Sequence, residues 1–116
     1  MASYTSFDME VAMERSGGGE ERFFEMAAFF PSYCEELVLA VESAMQEKNF
    51  EQLKKAAHKL KGSLGMVGAK EAFDSAMMLE KRALEEEGSK LEERVTKLKK
   101  DVSLLLNDLR NLTRKN

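Results

Sequence analysis

The chain has 116 residues, 43% hydrophobic and 34% charged, which suits one compact domain with a buried core and is short for two. A formal net charge of −3 argues against non-specific nucleic-acid binding, which needs a basic surface. Cys34 is the only cysteine, so an internal disulfide and a cysteine-based zinc site are excluded, and no apolar run approaches the roughly 20 residues that span a bilayer. Residues 1–5 lack the basic and apolar regions of a signal peptide. A reducing setting is expected: cytoplasmic, or nuclear in a eukaryote.

With 1 Pro and 7 Gly, little of the chain is marked as turn, and Leu, Ala, Glu, Lys and Met lose little freedom in a helix. The fold class expected is all-α. Within the first sixteen residues Phe7, Met9, Val11 and Met13 suggest a short helix ended by Gly17-Gly18-Gly19. That triple glycine lacks a following Gly-Lys-Ser/Thr and a preceding strand, so it reads as a hinge rather than a phosphate loop. Residues 1–19 are thus a short N-terminal segment packing on a bundle formed by residues 20–116, one domain overall.

Four apolar stripes follow. Phe23, Ala27, Phe30, Cys34, Leu37, Val41 and Ala44 are spaced by fours and threes, one buried helix face. Pro31 falls inside this run, where it should remove one backbone hydrogen bond and kink a single helix. The second stripe is Phe50, Leu53, Ala57, Leu60, Leu64 and Val67. Asn49 with Gln52 forms a capping box before it, and Gly68 is placed to end it in a left-handed cap. The third, Ala69, Ala72, Ala76, Leu79 and Ala83, shares its face with Phe73 and is expected to end at Gly88; the Glu run at 85–87 reads as a solvated helix end. Ser89 with Glu92 forms another capping box. Leu91, Val95, Leu98, Val102, Leu105, Leu109 and Leu112 then make the cleanest heptad of the chain, with residues 113–116 expected to fray. Short connections between stripes of similar length predict an antiparallel four-helix bundle with a short additional N-terminal helix.

The second helix carries the only histidine of the chain. At about 100° per residue, His58 lies roughly 130° from the centre of its helix's apolar stripe. Lys54, Lys61 and Gly65 fall on one side of it, Lys55 and Gly62 on the other. Each glycine costs a helix interior about 1 kcal/mol against alanine. Cations and missing side chains around an outward imidazole make sense if something large and anionic comes close: glycine at i+4 clears space and lysine at i+3 can neutralise phosphoryl oxygens. The alternative is a surface histidine on a basic helix face, against which the two glycines weigh.

The run His58-Lys59-Leu60-Lys61-Gly62-Ser63 followed by Gly68-Ala69 resembles the H-x-x-K-G signature of histidine-containing phosphotransfer (HPt) domains, borne on the second helix of a four-helix bundle. Asp8-Met9-Glu10 through Gly18-Gly19, the Phe30-Pro31 stretch and the approach to Asn49-Phe50 fit as well, so the resemblance covers nearly the whole chain. It implies a phosphorelay intermediate that accepts a phosphoryl group on His58 from a receiver-domain aspartate and passes it to another receiver. Lys61 would steady the phosphoryl oxygens, with Lys54 and Lys55 as weaker contributors, and Gly62 would admit the receiver's loops. A Glu or Gln twenty-two residues after the histidine orients the ring in this family, and that position here is Glu80. Read from position alone, Glu80 is either at the edge between helices, within reach of His58, or one of the many solvated glutamates of its helix.

The partners so implied are response-regulator receiver domains and an upstream hybrid histidine kinase, met by a monomer with no nucleic acid or membrane involved. No cofactor is expected: the receiver should bring Mg²⁺, since no carboxylate cluster surrounds His58 in the sequence pattern. ATP should not be a direct substrate, because no P-loop or kinase glycine loop is present, and the protein should be a stoichiometric carrier rather than an ATP-using kinase. Phe24 and Leu39 are candidate docking residues outside the stripes. A rival from another class is a non-catalytic adaptor bundle pairing through its last heptad; a di-metal carboxylate enzyme fails for lack of paired Glu-x-x-His motifs.

Overall fold

The computed structural model describes residues 6–17, 19–86, 88 and 90–114. Five helices account for most of them: α1 (Met9–Arg15), α2 (Gly19–Gln46), α3 (Phe50–Met66), α4 (Lys70–Leu84) and α5 (Leu91–Arg114). Helices α2 to α5 pack in cyclic order, each against its chain neighbours and α5 back against α2, which is the antiparallel four-helix bundle predicted. The longest dimension, 42 Å, is the length of the 28-residue α2 at about 1.5 Å per residue.

All four stripes face inward. Of their positions only Phe50 and Phe73 are partly rather than fully covered, and among the described residues no polar or charged side chain is buried. The α5 heptad is spent inside the molecule: Leu91, Val95, Leu98, Val102, Leu105, Leu109 and Leu112 are all buried, and α5 packs on α2 and α4. Cys34 is fully enclosed, and burial, with Glu35 adding to it, pushes its thiol up to about 12. No helix among the described residues is long and apolar enough to cross a membrane.

The helix ends show where local chemistry governs and where it does not. Asn49 caps α3 by accepting the Gln52 N–H at 3.1 Å. Gly68 ends α3 at φ +64°, and the paired bonds from Gly68 N–H to Gly65 and from Ala69 N–H to Leu64 complete a Schellman motif. The ends of α2 and α4 instead use Lys48 (φ 56°) and Glu86 (φ 51°) in the left-handed region. So α4 stops at Leu84, before Gly88, the glycine expected to end it. Pro31 is buried within a helix that continues through it. The Ser89 cap and the glutamate at 87 lie outside the described residues, as do positions 1–5, 18, 115 and 116; α5 itself runs to Arg114.

The N-terminal segment closes one end of the bundle. Asp8 caps α1 by accepting the Val11 N–H at 3.2 Å, and its own N–H donates to the Val67 carbonyl at 3.1 Å. Phe7 is buried and stacked on Phe23, and Ser6 donates to Asp108 on α5. Ala12, not one of the apolar positions anticipated, is the residue of α1 that is fully enclosed.

Candidate functional site

Antiparallel pairing of α3 and α4 through the short 67–69 connection sets their outer shoulders in register. Residues 54, 58, 61 and 65 of α3 lie on one side of a strip, and residues 84, 80, 77 and 73 of α4 on the other. His58 is the polar centre of it, with 66% of its side chain exposed. Its Nδ1 lies 2.7 Å from Oε2 of Glu80, and Lys61 Nζ lies 2.8 Å from the other oxygen, Oε1. One carboxylate on α4 therefore holds two residues one turn apart on α3.

The electrostatics follow from that bridge. Partial burial pushes the Glu80 carboxyl up, but hydrogen bonds from Lys61 and His58, with their charges, outweigh it and leave the group below its ordinary value. An ionised carboxylate only accepts, so Nδ1–H is the donor, and whenever the imidazole is neutral its lone pair is on Nε2. A nucleophilic nitrogen facing solvent, oriented from behind by an acid, is the arrangement that attack on an electrophile requires.

The glycines part company here. A Cβ at Gly62 would meet nothing within 4 Å, so the surface beside His58 is open. A Cβ at Gly65 would instead lie 3.5 Å from the Phe73 ring, and the Gly65 carbonyl accepts from Arg15 of α1. Gly65 thus belongs to a helix contact, beyond its nearness to the imidazole. Lys54 is half-buried, and Lys55 is exposed and paired with Glu51 at 3.4 Å.

A groove of about 830 Å³ runs beside His58, lined by Lys54, Lys55, Lys59 and Gln52 of α3, Leu37 and Ala40 of α2, and Met77, Glu80, Lys81 and Leu84 of α4. Phe24 and Leu39 are not among these residues. Phe24 is half-buried, edge-on to Phe23 at 5.2 Å, and Leu39 lines a separate groove with α5. The reason is rotational: two residues at about 100° each turn Leu39 some 200° from Leu37, onto the opposite shoulder of α2. The apolar surface at the site comes from Met77 and Leu84, 45% and 67% exposed. Sequence reasoning missed them; their spacing of −3 and +4 from Glu80 was the available signal.

No curated protein matches the chain. Among solved structures, histidine-containing phosphotransfer protein B (HptB) from Pseudomonas aeruginosa PAO1 has the same fold, with a TM-score of 0.90 over 98% of this chain and 99% of that one at 18% identity. The Hpt domain family matches residues 25–112. Because that span takes in nearly all of the α2–α5 bundle, together with His58, Lys61, Gly62 and Glu80, this chain belongs to the Hpt domain family.

Proposed function

We propose that His58 is the carrier residue of this Hpt domain, exchanging a phosphoryl group with a receiver aspartate. Hpt domains are phosphorelay intermediates: they carry phosphoryl groups to and from receiver domains and are not ATP-using kinases. The observation that carries the reading is the imidazole held by Glu80 through Nδ1 with its other edge exposed. Nε2 attacks the phosphorus of the aspartyl phosphate in line, the N–P bond forms as the acyl P–O bond breaks, and the carboxylate leaves. The Glu80 oxygen keeps Nδ1–H as the donor throughout, so the ring is held in line without a proton having to move. The reverse step regenerates the acyl phosphate.

Lys61 supports the same step. An ammonium has three donors, and Glu80 takes one, so two N–H groups remain for phosphoryl oxygens. Lys54 and Lys55 add positive charge at longer range. Gly62 leaves the partner's loops free to approach, and Met77 and Leu84 give them apolar area to cover. Mg²⁺ comes with the receiver, where phosphates and one or two carboxylates bind it. Mixing the protein with receiver domains charged by acetyl phosphate and following the label tests this directly. Acid-labile, base-stable label on the wild type, absent from His58→Gln, is the expected result; label retained by that variant places the group elsewhere.

A further inference from the structure

Arg15, the last residue of α1, reaches α3 across fifty positions of sequence and donates from a guanidinium N–H to the Gly65 carbonyl. Gly65 follows His58 by seven residues on the same shoulder of α3, about 10 Å further along the helix. Arg15 therefore stands at one end of the strip whose centre is His58. Its position is imposed by α1: Asp8 bonds the Val67 carbonyl, and Gly68 makes the room, since a Cβ there would lie 2.8 Å from the Asp8 Cβ.

The charge so delivered is not used up within the chain. A guanidinium has five N–H donors, of which the Gly65 carbonyl takes one. Arg15 is exposed and has no carboxylate within ion-pair distance among the described residues, whereas Lys61 is neutralised by Glu80 and Lys55 by Glu51. A docking footprint of about 800 Å² per partner has a radius near 16 Å, so one centred on His58 includes Arg15 at its rim. The receiver's reacting aspartate and the carboxylates that hold its Mg²⁺ meet His58 at the centre of that footprint, so an unpaired cation at the rim acts on an approaching partner that carries negative charge there. Helix α1 lies outside residues 25–112, the span that matches the family.

We propose that Arg15 is a docking residue for the receiver, and that α1 serves to place this cation at the rim of the contact, where it attracts the receiver's negatively charged face. The proposal rests on the reading that His58 exchanges its phosphoryl group with a receiver. A rim charge acts mainly on encounter rate and partner choice, through a salt-sensitive interaction. It leaves the in-line step at Nε2 untouched.

The test is the receiver concentration that half-saturates label transfer, measured in low salt and in 0.5 M NaCl against the same transfer-competent receiver. Arg15→Glu should raise it about five- to twenty-fold in low salt with the saturated rate unchanged, and most of the difference should vanish in high salt. Arg15→Gln, which removes the charge without reversing it, should give a smaller rise of about threefold. It also guards against a fold defect in the charge-reversed chain. Half-saturation equal to wild type for both variants in low salt overturns the proposal, and so does a shift undiminished by salt, which would make Arg15 only a strut for α1. A wild type labelled by a receiver while the variants behave normally removes this inference alone; a wild type labelled by none of a panel of receivers removes the reading beneath it too.

Discussion

Two carboxylates in this bundle are built into nearly the same arrangement, and only one of them holds a donor with an atom left over. Glu80 on α4 accepts from the His58 ring at 2.7 Å through one oxygen and from Lys61 at 2.8 Å through the other. Asp101 on α5 accepts from the Ser75 hydroxyl at 2.6 Å and from Lys97 at 2.8 Å, both through Oδ2. Each cluster ties α4 to a neighbouring helix with an acid, a lysine and a neutral donor. The difference lies in what the neutral donor has left over. Ser75 gives its proton to Asp101 and accepts from Lys97 at 3.3 Å, which closes the hydroxyl. His58 gives one nitrogen to Glu80 and turns the other outward on a side chain 66% exposed. The reactivity proposed for His58 rests on that second nitrogen, not on the company of an acid and a lysine.

The sharpest way to break that comparison is to remove the two neutral donors. His58→Gln should abolish labelling, while Ser75→Ala should accept and pass on the label at the wild-type rate; a transfer defect in Ser75→Ala would mean the second cluster takes part after all. Next in size is the lysine. Lys61→Ala should slow transfer about 10- to 100-fold, at or below the roughly 100- to 1,000-fold for losing an enclosed oxyanion donor, because this lysine is partly exposed. Its melting temperature should change little, since a partly exposed pair contributes about 0.2–1 kcal/mol. Transfer as fast as wild type would remove Lys61 from the chemistry. The second acid should show the opposite profile. Asp101→Ala leaves the part-buried Ser75 hydroxyl without its acceptor, a loss of about 1–2 kcal/mol, at roughly 3–6 °C in melting temperature per kcal/mol for a chain of this length. Label transfer at saturating receiver should stay at the wild-type rate. A single assay of rate and melting over these variants separates a clamp from a site.

How much of this was written locally in the chain differs from one residue to the next. The buried faces were legible because burial of Leu60, Leu79 or Leu105 depends on period alone, and period is a property of sequence. The outward His58 and the open space at Gly62 came from the same arithmetic. The ends at Lys48 and Glu86 were not legible: neither residue favours the left-handed region, and closure of the bundle holds them there. Gly68 could be read as a helix stop, but its second duty, making room for Asp8, exists only once α1 has docked. Gly65 likewise looked like bare surface beside the imidazole, because Phe73 and Arg15 arrive from distant parts of the chain. Glu80 was picked out by resemblance to a family; its own surroundings in sequence offered several equal glutamates.

The smallest effect expected is also the one that isolates the charge of Glu80 from its role as a hydrogen-bond acceptor. Glu80→Gln keeps a carbonyl oxygen for Nδ1–H, so the ring stays oriented and transfer should fall by no more than about threefold. What it removes is an ionised group whose folded-state pKa lies below the ordinary 4.5, held down by Lys61 and His58 against the upward push of burial. A carboxyl depressed by folding stabilises the native state above its unfolded pKa, and that contribution is lost as pH falls through the folded value. Wild type should therefore exceed Glu80→Gln in stability by up to about 1 kcal/mol at pH 7, and the gap should narrow as pH falls below 4.5. Denaturant midpoints from pH 7 down to 3 would follow it. A gap that stays constant over that range would mean the carboxylate contributes shape rather than charge. The His58–Glu80–Lys61 bridge would then be as passive as the Ser75–Asp101–Lys97 clamp on the other side of α4.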